Sequence, residues 1–287
     1  MWHFEVVNLY IQIPIPMLHL LETPLFCSQR EVPSILATIA KVLHGNEKIE
    51  VIAGKKDYDL IDVWYDDIPW DFEIQEEKGI AILSIYGSIY KYFYYYGMDV
   101  YSAVLKKLYQ DTSIKGIILR IESGGGEWGG LQMMAETLKL KNKPVIAYVE
   151  DYAFSAAYGI AACCDLIFAN TPMCEVGSIG TYIRLLDYEK YYASVGIDIH
   201  TIYATKSTDK NLSYREALEG KYEKMVENID VYNEYFINLI QQNRGQKLKS
   251  DQSEWGTGRT YFAPKALELG LIDGINSLDQ IIDSLIL

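Results

Sequence analysis

The sequence predicts an α/β protein built on a parallel sheet. From about residue 79 onward, strand-like apolar runs alternate with amphipathic segments at helical spacing, the pattern of βαβ units. Two of the runs, KGIILRIES (115–123) and PVIAYVE (144–150), are mostly apolar, as parallel strands covered on both faces are. Three consecutive glycines, 124–126, join one of these strands to the next helix, where a tight βα turn is needed.

The elements follow in order. GIAILSIYGSI (79–89) predicts a strand and DVYSAVLKKLYQD (99–111) an amphipathic helix. The strand 115–123, a helix over 129–141, the strand 144–150, a small-residue helix over 155–164 and a short strand over 165–170 complete the alternation. GIDIHTIYA (196–204) reads as a further strand. From Tyr214 to Asn243, apolar residues recur every three or four positions, predicting one long amphipathic helix. The first 75 residues differ. VPSILATIAKVL (32–43) has helical spacing and ends near Gly45. The acidic, aromatic stretch 55–77 reads as a linker or irregular arm. We therefore expect an N-terminal helical and irregular region over 1–75 and a main domain over 76–287.

Composition narrows the function. A chain of 287 residues with 49% hydrophobic and 23% charged residues is globular. A net charge of −13 argues against nucleic acid, whose binding needs Lys and Arg on phosphate. The four cysteines form no C-x-x-C pair and there are only four histidines, so no metal and no cofactor is expected. Cys163 and Cys164 read as small buried residues of a reducing compartment. With no basic leader and no apolar run of spanning length, the expectation is a cytoplasmic protein without a membrane span.

Three stretches could carry chemistry. In IESGGGEWGG (121–130), glycine lets backbone N–H groups approach a ligand closely, so Gly125 and Gly126 could hold an oxyanion; equally, they could only make the turn. Ser155, in DYAFSAAYGIAACC (151–164), stands where a strand turns into a helix. It is a nucleophile at a helix start or an ordinary N-cap serine, and taken alone the cap is the simpler reading. A Ser-His-Asp triad needs a histidine, and between His44 and the C-terminus the sequence has only His200, inside an expected strand. A lysine is the alternative base. Lys206 and Lys210 follow in IYATKSTDKN (202–211). A lysine accepts a proton only when neutral, and a free one is neutral in roughly one molecule in 2,500 at pH 7. Burial can lower that barrier.

These stretches in this order resemble the signal peptide peptidase A family of serine peptidases. The likeness rests on ILRIESGGGEWGG, on KPVIAYVEDYAFSAAYGIAACCDLIFANTPMCEVGSIG, on IYATKS, and on the closing GRTYFAPKALELGLIDGI (258–275). It resembles most the soluble phage and prophage branch, through Ser155–Tyr158, Val176–Gly180 and the Asn-Arg-Gly at 243–245. The resemblance implies a ClpP/crotonase-like α/β spiral and a Ser/Lys dyad. Ser155 would be the nucleophile, Gly125 and Gly126 the oxyanion donors, Lys206 the base with Lys210 as fallback, and Ser178 the residue orienting the lysine. It also implies a protein or peptide substrate, such as a scaffold or capsid protein in head maturation, and a ring-shaped homo-oligomer. Two positions depart from the pattern. Gly124 stands where the family has proline, and an ungapped overlay on the branch's Ile-Tyr-Ala-Gly-Lys-x-Lys puts Thr208 at the base. That leaves two other readings: a catalytically inactive structural homologue, and a crotonase-like acyl-CoA enzyme that needs no serine. The tyrosine-rich SIYKYFYYYGMD (88–99) reads as a substrate groove or subunit interface, with ordinary core packing as the alternative.

Overall fold

The computed structural model describes residues 25–26, 60–65, 68–75, 79–93 and 97–286. The helix expected over 32–43 lies outside them. The strands are β1 (Leu25–Phe26), β2 (Leu60–Tyr65), β3 (Ile68–Gln75), β4 (Ile80–Ile89), β5 (Gly116–Glu127), β6 (Val145–Phe154), β7 (Leu166–Ala169), β8 (Glu175–Gly177), β9 (Thr260–Phe262) and β10 (Gly274–Ile275). All join one sheet, with the path β10-β7-β6-β5-β4-β3-β2. The run from β4 to β7, with β10 beyond it, is parallel, as the apolar runs predict.

The central strands are buried on both faces, and residue parity sorts the two. Leu83 and Ile85, Leu119 and Ile121, Ala147 and Val149 face the main core. That side is covered by α1 (Met98–Gln110), α2 (Trp128–Leu138) and α3 (Ala156–Ala162), with Phe236, Ile240 and Trp255 from later in the chain. Ile80, Ile82, Ile118, Ile146 and Tyr148 face the other way, under Ile281 and Ile282 of the last helix, Leu278–Ile286. Each buried Ile or Leu contributes about 1.5–3 kcal/mol, so both faces hold the strands in place. The helix α3 is buried at every position. A Cβ on Gly159 would lie 2.7 Å from Leu131 Cδ1 and 3.0 Å from Phe236 Cε2, so the absence of a side chain at 159 lets α3 sit between its neighbours.

The other helices are α4 (Glu189–Ser194), α5 (Leu212–Leu218), α6 (Glu223–Arg244), α7 (Gln252–Trp255), α8 (Ala263–Leu269) and α9, the closing helix just described. Three expectations need correction. The stretch read as an irregular arm contains β2 and β3, an antiparallel pair that extends the sheet beyond β4. Ile68, Trp70, Phe72 and Ile74 alternate with Pro69, Asp71, Glu73 and Gln75, a period-two pattern hidden by its acidic residues. The long helix is two, because Gly220 at φ 82° separates α5 from α6. No strand forms over 196–204, which is largely exposed and pairs with none of the described strands.

Charged residues anchor the ends. The Lys143 ammonium donates to the carbonyls of Leu108, Asp111 and Ile114 at 2.6–2.8 Å, capping the C-terminus of α1. Arg244, 1% exposed, donates to Asp273 at 2.7 Å and to the Gly270 carbonyl. This explains the Asn-Arg-Gly sequence: its arginine fastens the end of α6 to the turn after α8. Burial alone would raise the Asp273 carboxyl, but the hydrogen bond and charge of Arg244 outweigh it and hold the group below its ordinary value.

Candidate active site

The site forms where the central strands end. β6 pairs with β7 through Val149↔Ala169, then exchanges that partner for β8 through Tyr152↔Glu175 and Phe154↔Gly177. The change of partner brings Ser155 and Ser178 to adjacent strand ends. Ser155 N–H donates to the Gly177 carbonyl at 2.8 Å, and Ser178 N–H to the Arg259 carbonyl at 2.6 Å. Both serines line one cleft of about 1010 Å³, with Arg184, Asp230, Asn233 and Thr257.

The backbone at Ser155 is the informative feature. Its φ is 52° and ψ −123°, a region that a residue with a Cβ enters only at a cost of about 1–3 kcal/mol. Ser155 occupies the N-cap position of α3, yet its side chain makes no capping hydrogen bond. The capping interaction that would explain an ordinary serine here is absent. A strained strand-to-helix turn presenting a hydroxyl is how a nucleophilic serine is held at the end of an α/β sheet. Ser178 is strained as well, at φ 53°.

The glycines at 124–126 serve the turn directly. Gly125 has φ 97°, and its N–H donates to Ser123 Oγ at 3.1 Å, while that hydroxyl donates to the Gly87 carbonyl. The amide expected to hold an oxyanion is thus engaged within the turn. A Cβ on Gly126 would lie 1.9 Å from the Ile89 carbonyl oxygen. Neither glycine is among the residues lining the cleft.

The lysines stand apart. Lys206 and Lys210 are exposed, and no lysine or histidine lines the Ser155 cleft among the described residues. His200, expected within a strand, is exposed in irregular backbone. The lysine loop is held by Arg215 of α5, which donates to the Thr208 carbonyl at 2.6 Å and lies 4.7 Å from the Tyr203 ring centroid. Before it, every residue from 187 to 202 is exposed, including Tyr188, Tyr191, Val195, Ile197 and Ile199. The chain alone brings the two serines together and leaves the lysines outside.

Other candidates recede. Burial pushes the Cys163 thiol up to about 12 and Cys164 well above its ordinary value, so neither is a ready nucleophile. Tyr158 is fully buried and donates to the Leu271 carbonyl at 2.8 Å. Of the tyrosine-rich segment, Tyr90 is buried and Tyr92 exposed, while residues 94–96 lie outside the described ones. No helix among the described residues is long and apolar enough to cross a membrane.

The chain belongs to peptidase family S49, whose sequence model matches residues 137–286. It is similar to a chain of Enterococcus faecium provisionally named signal peptide peptidase SppA, 29% identical over 191 residues, covering 63% of this chain and 53% of that one. It is also similar to the head-tail preconnector protein GP5 of Enterobacteria phage P21, 29% identical over 216 residues, covering 71% of this chain and 42% of that one. The chain thus spans about half the length of the curated relatives it matches. Among solved structures, an N165D mutant of ClpP1 from Listeria monocytogenes aligns over 70% of this chain and 94% of its own, at 15% identity and TM-score 0.46.

Proposed function

We propose that this peptidase is a serine endopeptidase with Ser155 as nucleophile and Lys206 as base. The observation that carries the reading is the backbone of Ser155, held at positive φ beside a cleft without a capping bond. In the first step a neutral Lys206 takes the Ser155 proton as the oxygen attacks a peptide carbonyl. The amide nitrogen leaves with a proton from the lysine, and water hydrolyses the acyl-enzyme by the same route. Ser178, on the neighbouring strand end, would orient the lysine, and Gly126 would donate to the oxyanion. Gly125 fits that role less well, because its N–H is already given to Ser123.

The base must reach the cleft from outside the single chain's arrangement. The exposed apolar segment before Lys206 is what a subunit contact leaves when viewed alone. We therefore read the active form as a homo-oligomer, in keeping with a ring, in which a neighbouring copy seats the lysine loop. Lys210 is the second choice of base. The likeness to a phage head-tail preconnector supports a role in capsid assembly, with a scaffold or capsid protein as substrate.

One observation favours an inactive homologue instead: both lysines are exposed and outside the cleft. A fluorophosphonate separates the two readings. It should label the native assembly and not Ser155→Ala, and Lys206→Ala should lose at least about a thousandfold in peptide turnover with unchanged folding. Undiminished proteolysis by Ser155→Ala refutes the proposal, and a folded assembly that neither labels nor cleaves supports the inactive reading.

A further inference from the structure

We infer that Leu25–Phe26 occupies the edge of β5 on which a substrate peptide would lie, so that the chain's own N-terminal segment competes with substrate. The inference rests on Ser155 being the nucleophile and deepens that reading.

A strand has two hydrogen-bonding edges, and at Gly126 both are accounted for. β4 takes one, through Ser88↔Gly125 and Ile89↔Gly126. β6 holds the other as far as Ser123↔Ala153, then leaves it as the chain turns at Ser155 into α3. The departure of β6 opens the β5 edge beside the nucleophile. Backbone N–H and C=O groups on such an edge are the standard means of gripping an extended peptide. That edge is filled by β1, antiparallel, through Leu25↔Glu127 and Phe26↔Gly126.

Polarity adds to the argument. From Leu25 to Phe26 the segment runs from Glu127 back to Gly126, so its carboxyl side heads towards the glycine turn. A peptide seated antiparallel on that edge would run the same way and present its carbonyls to the same turn. Strand pairing is between backbones, so segment and substrate cannot both be seated. A cavity of about 800 Å³ next along the chain, lined by Trp128, Met225, Tyr232 and Tyr235, would suit an apolar side chain of the incoming peptide.

The test uses the full chain. Phe26→Pro removes the segment's N–H and breaks its pairing without touching the residues of the site. Turnover of a fluorogenic peptide is measured together with labelling by two probes, a small alkyl fluorophosphonate and a peptidyl phosphonate. If the segment fills the edge nine-tenths of the time, its release lowers KM and speeds peptidyl labelling about tenfold, with alkyl labelling unchanged. A synthetic peptide of residues 20–30 added in trans should then inhibit Phe26→Pro competitively. Alkyl labelling with unchanged KM and no inhibition in trans overturns this inference and leaves Ser155 as nucleophile. Labelling of Ser155 by neither probe overturns the reading of Ser155, and the inference with it.

Discussion

Replacing Ser155 with glycine should stabilise the protein while abolishing its activity. The native φ of 52° and ψ of −123° cost a residue with a Cβ about 1–3 kcal/mol, and glycine nothing comparable. Glycine gives back about 0.5–1 kcal/mol through its freer unfolded chain. No capping bond is lost, because Ser155 makes none. The net expectation is a gain of about 1 kcal/mol, or about 2–4 °C in Tm for a domain of this size. Ser155→Ala removes the same hydroxyl but keeps the Cβ, so it should stay near wild type. Thermal and urea unfolding of the three proteins, read by circular dichroism, decide the matter. If Ser155 were an ordinary cap, both substitutions would destabilise, alanine by about 1 kcal/mol and glycine by a few tenths. A glycine variant less stable than wild type therefore refutes the argument from strain.

Arg244→Met should cost about 2 kcal/mol, because the buried Gly270 carbonyl loses its donors while Asp273 keeps only Lys247 and the Ile167 N–H; a loss under 1 kcal/mol in urea unfolding would contradict that. Asp273 sits below its ordinary pKa, so its contribution is present above the unfolded-state value and fades as pH falls through the native one. Acid unfolding should accordingly show a loss below about pH 4 that is reduced in Asp273→Asn. Gly126→Ala should reduce stability by at least about 2 kcal/mol, since its Cβ would meet the Ile89 carbonyl oxygen, a backbone atom that cannot step aside. Native protein should react with a thiol reagent at Cys163 and Cys164 only on unfolding, and rapid native modification at either would contradict their burial.

The parts of the fold legible in the sequence are those set by local pattern. The strands at 80–89 and 116–127 and the helices at 98–110 and 128–138 are marked by periodicity and by covered faces. The β2–β3 pair is hidden because acidic residues interleaved with the apolar ones make the stretch read as a linker, although the alternation is present in 68–75. The segment 196–204 has strand composition but pairs with none of the described strands, and composition cannot supply a partner. The candidate site divides in the same way. Ser155 and Ser178 meet because β6 changes partner from β7 to β8, which no single stretch announces, though both serines could be picked out by motif. The positive φ of Ser155 leaves no mark in its neighbours' identities. The lysine could be named but not placed, because its position in the proposed assembly depends on a neighbouring copy.

The two faces of the sheet also differ in when they can be covered. The main core begins to close with α1, α2 and α3, which lie between or next to the strands they cover, and Phe236, Ile240 and Trp255 complete it later. The opposite face, with Ile80, Ile82, Ile118 and Ile146, finds its cover in Ile281 and Ile282 of the last helix. A ribosome working at about 5–20 residues per second therefore leaves that isoleucine-rich surface bare for on the order of ten seconds or more after β4 emerges. During that interval the nascent chain is adhesive, and it is then that a chaperone has most to do.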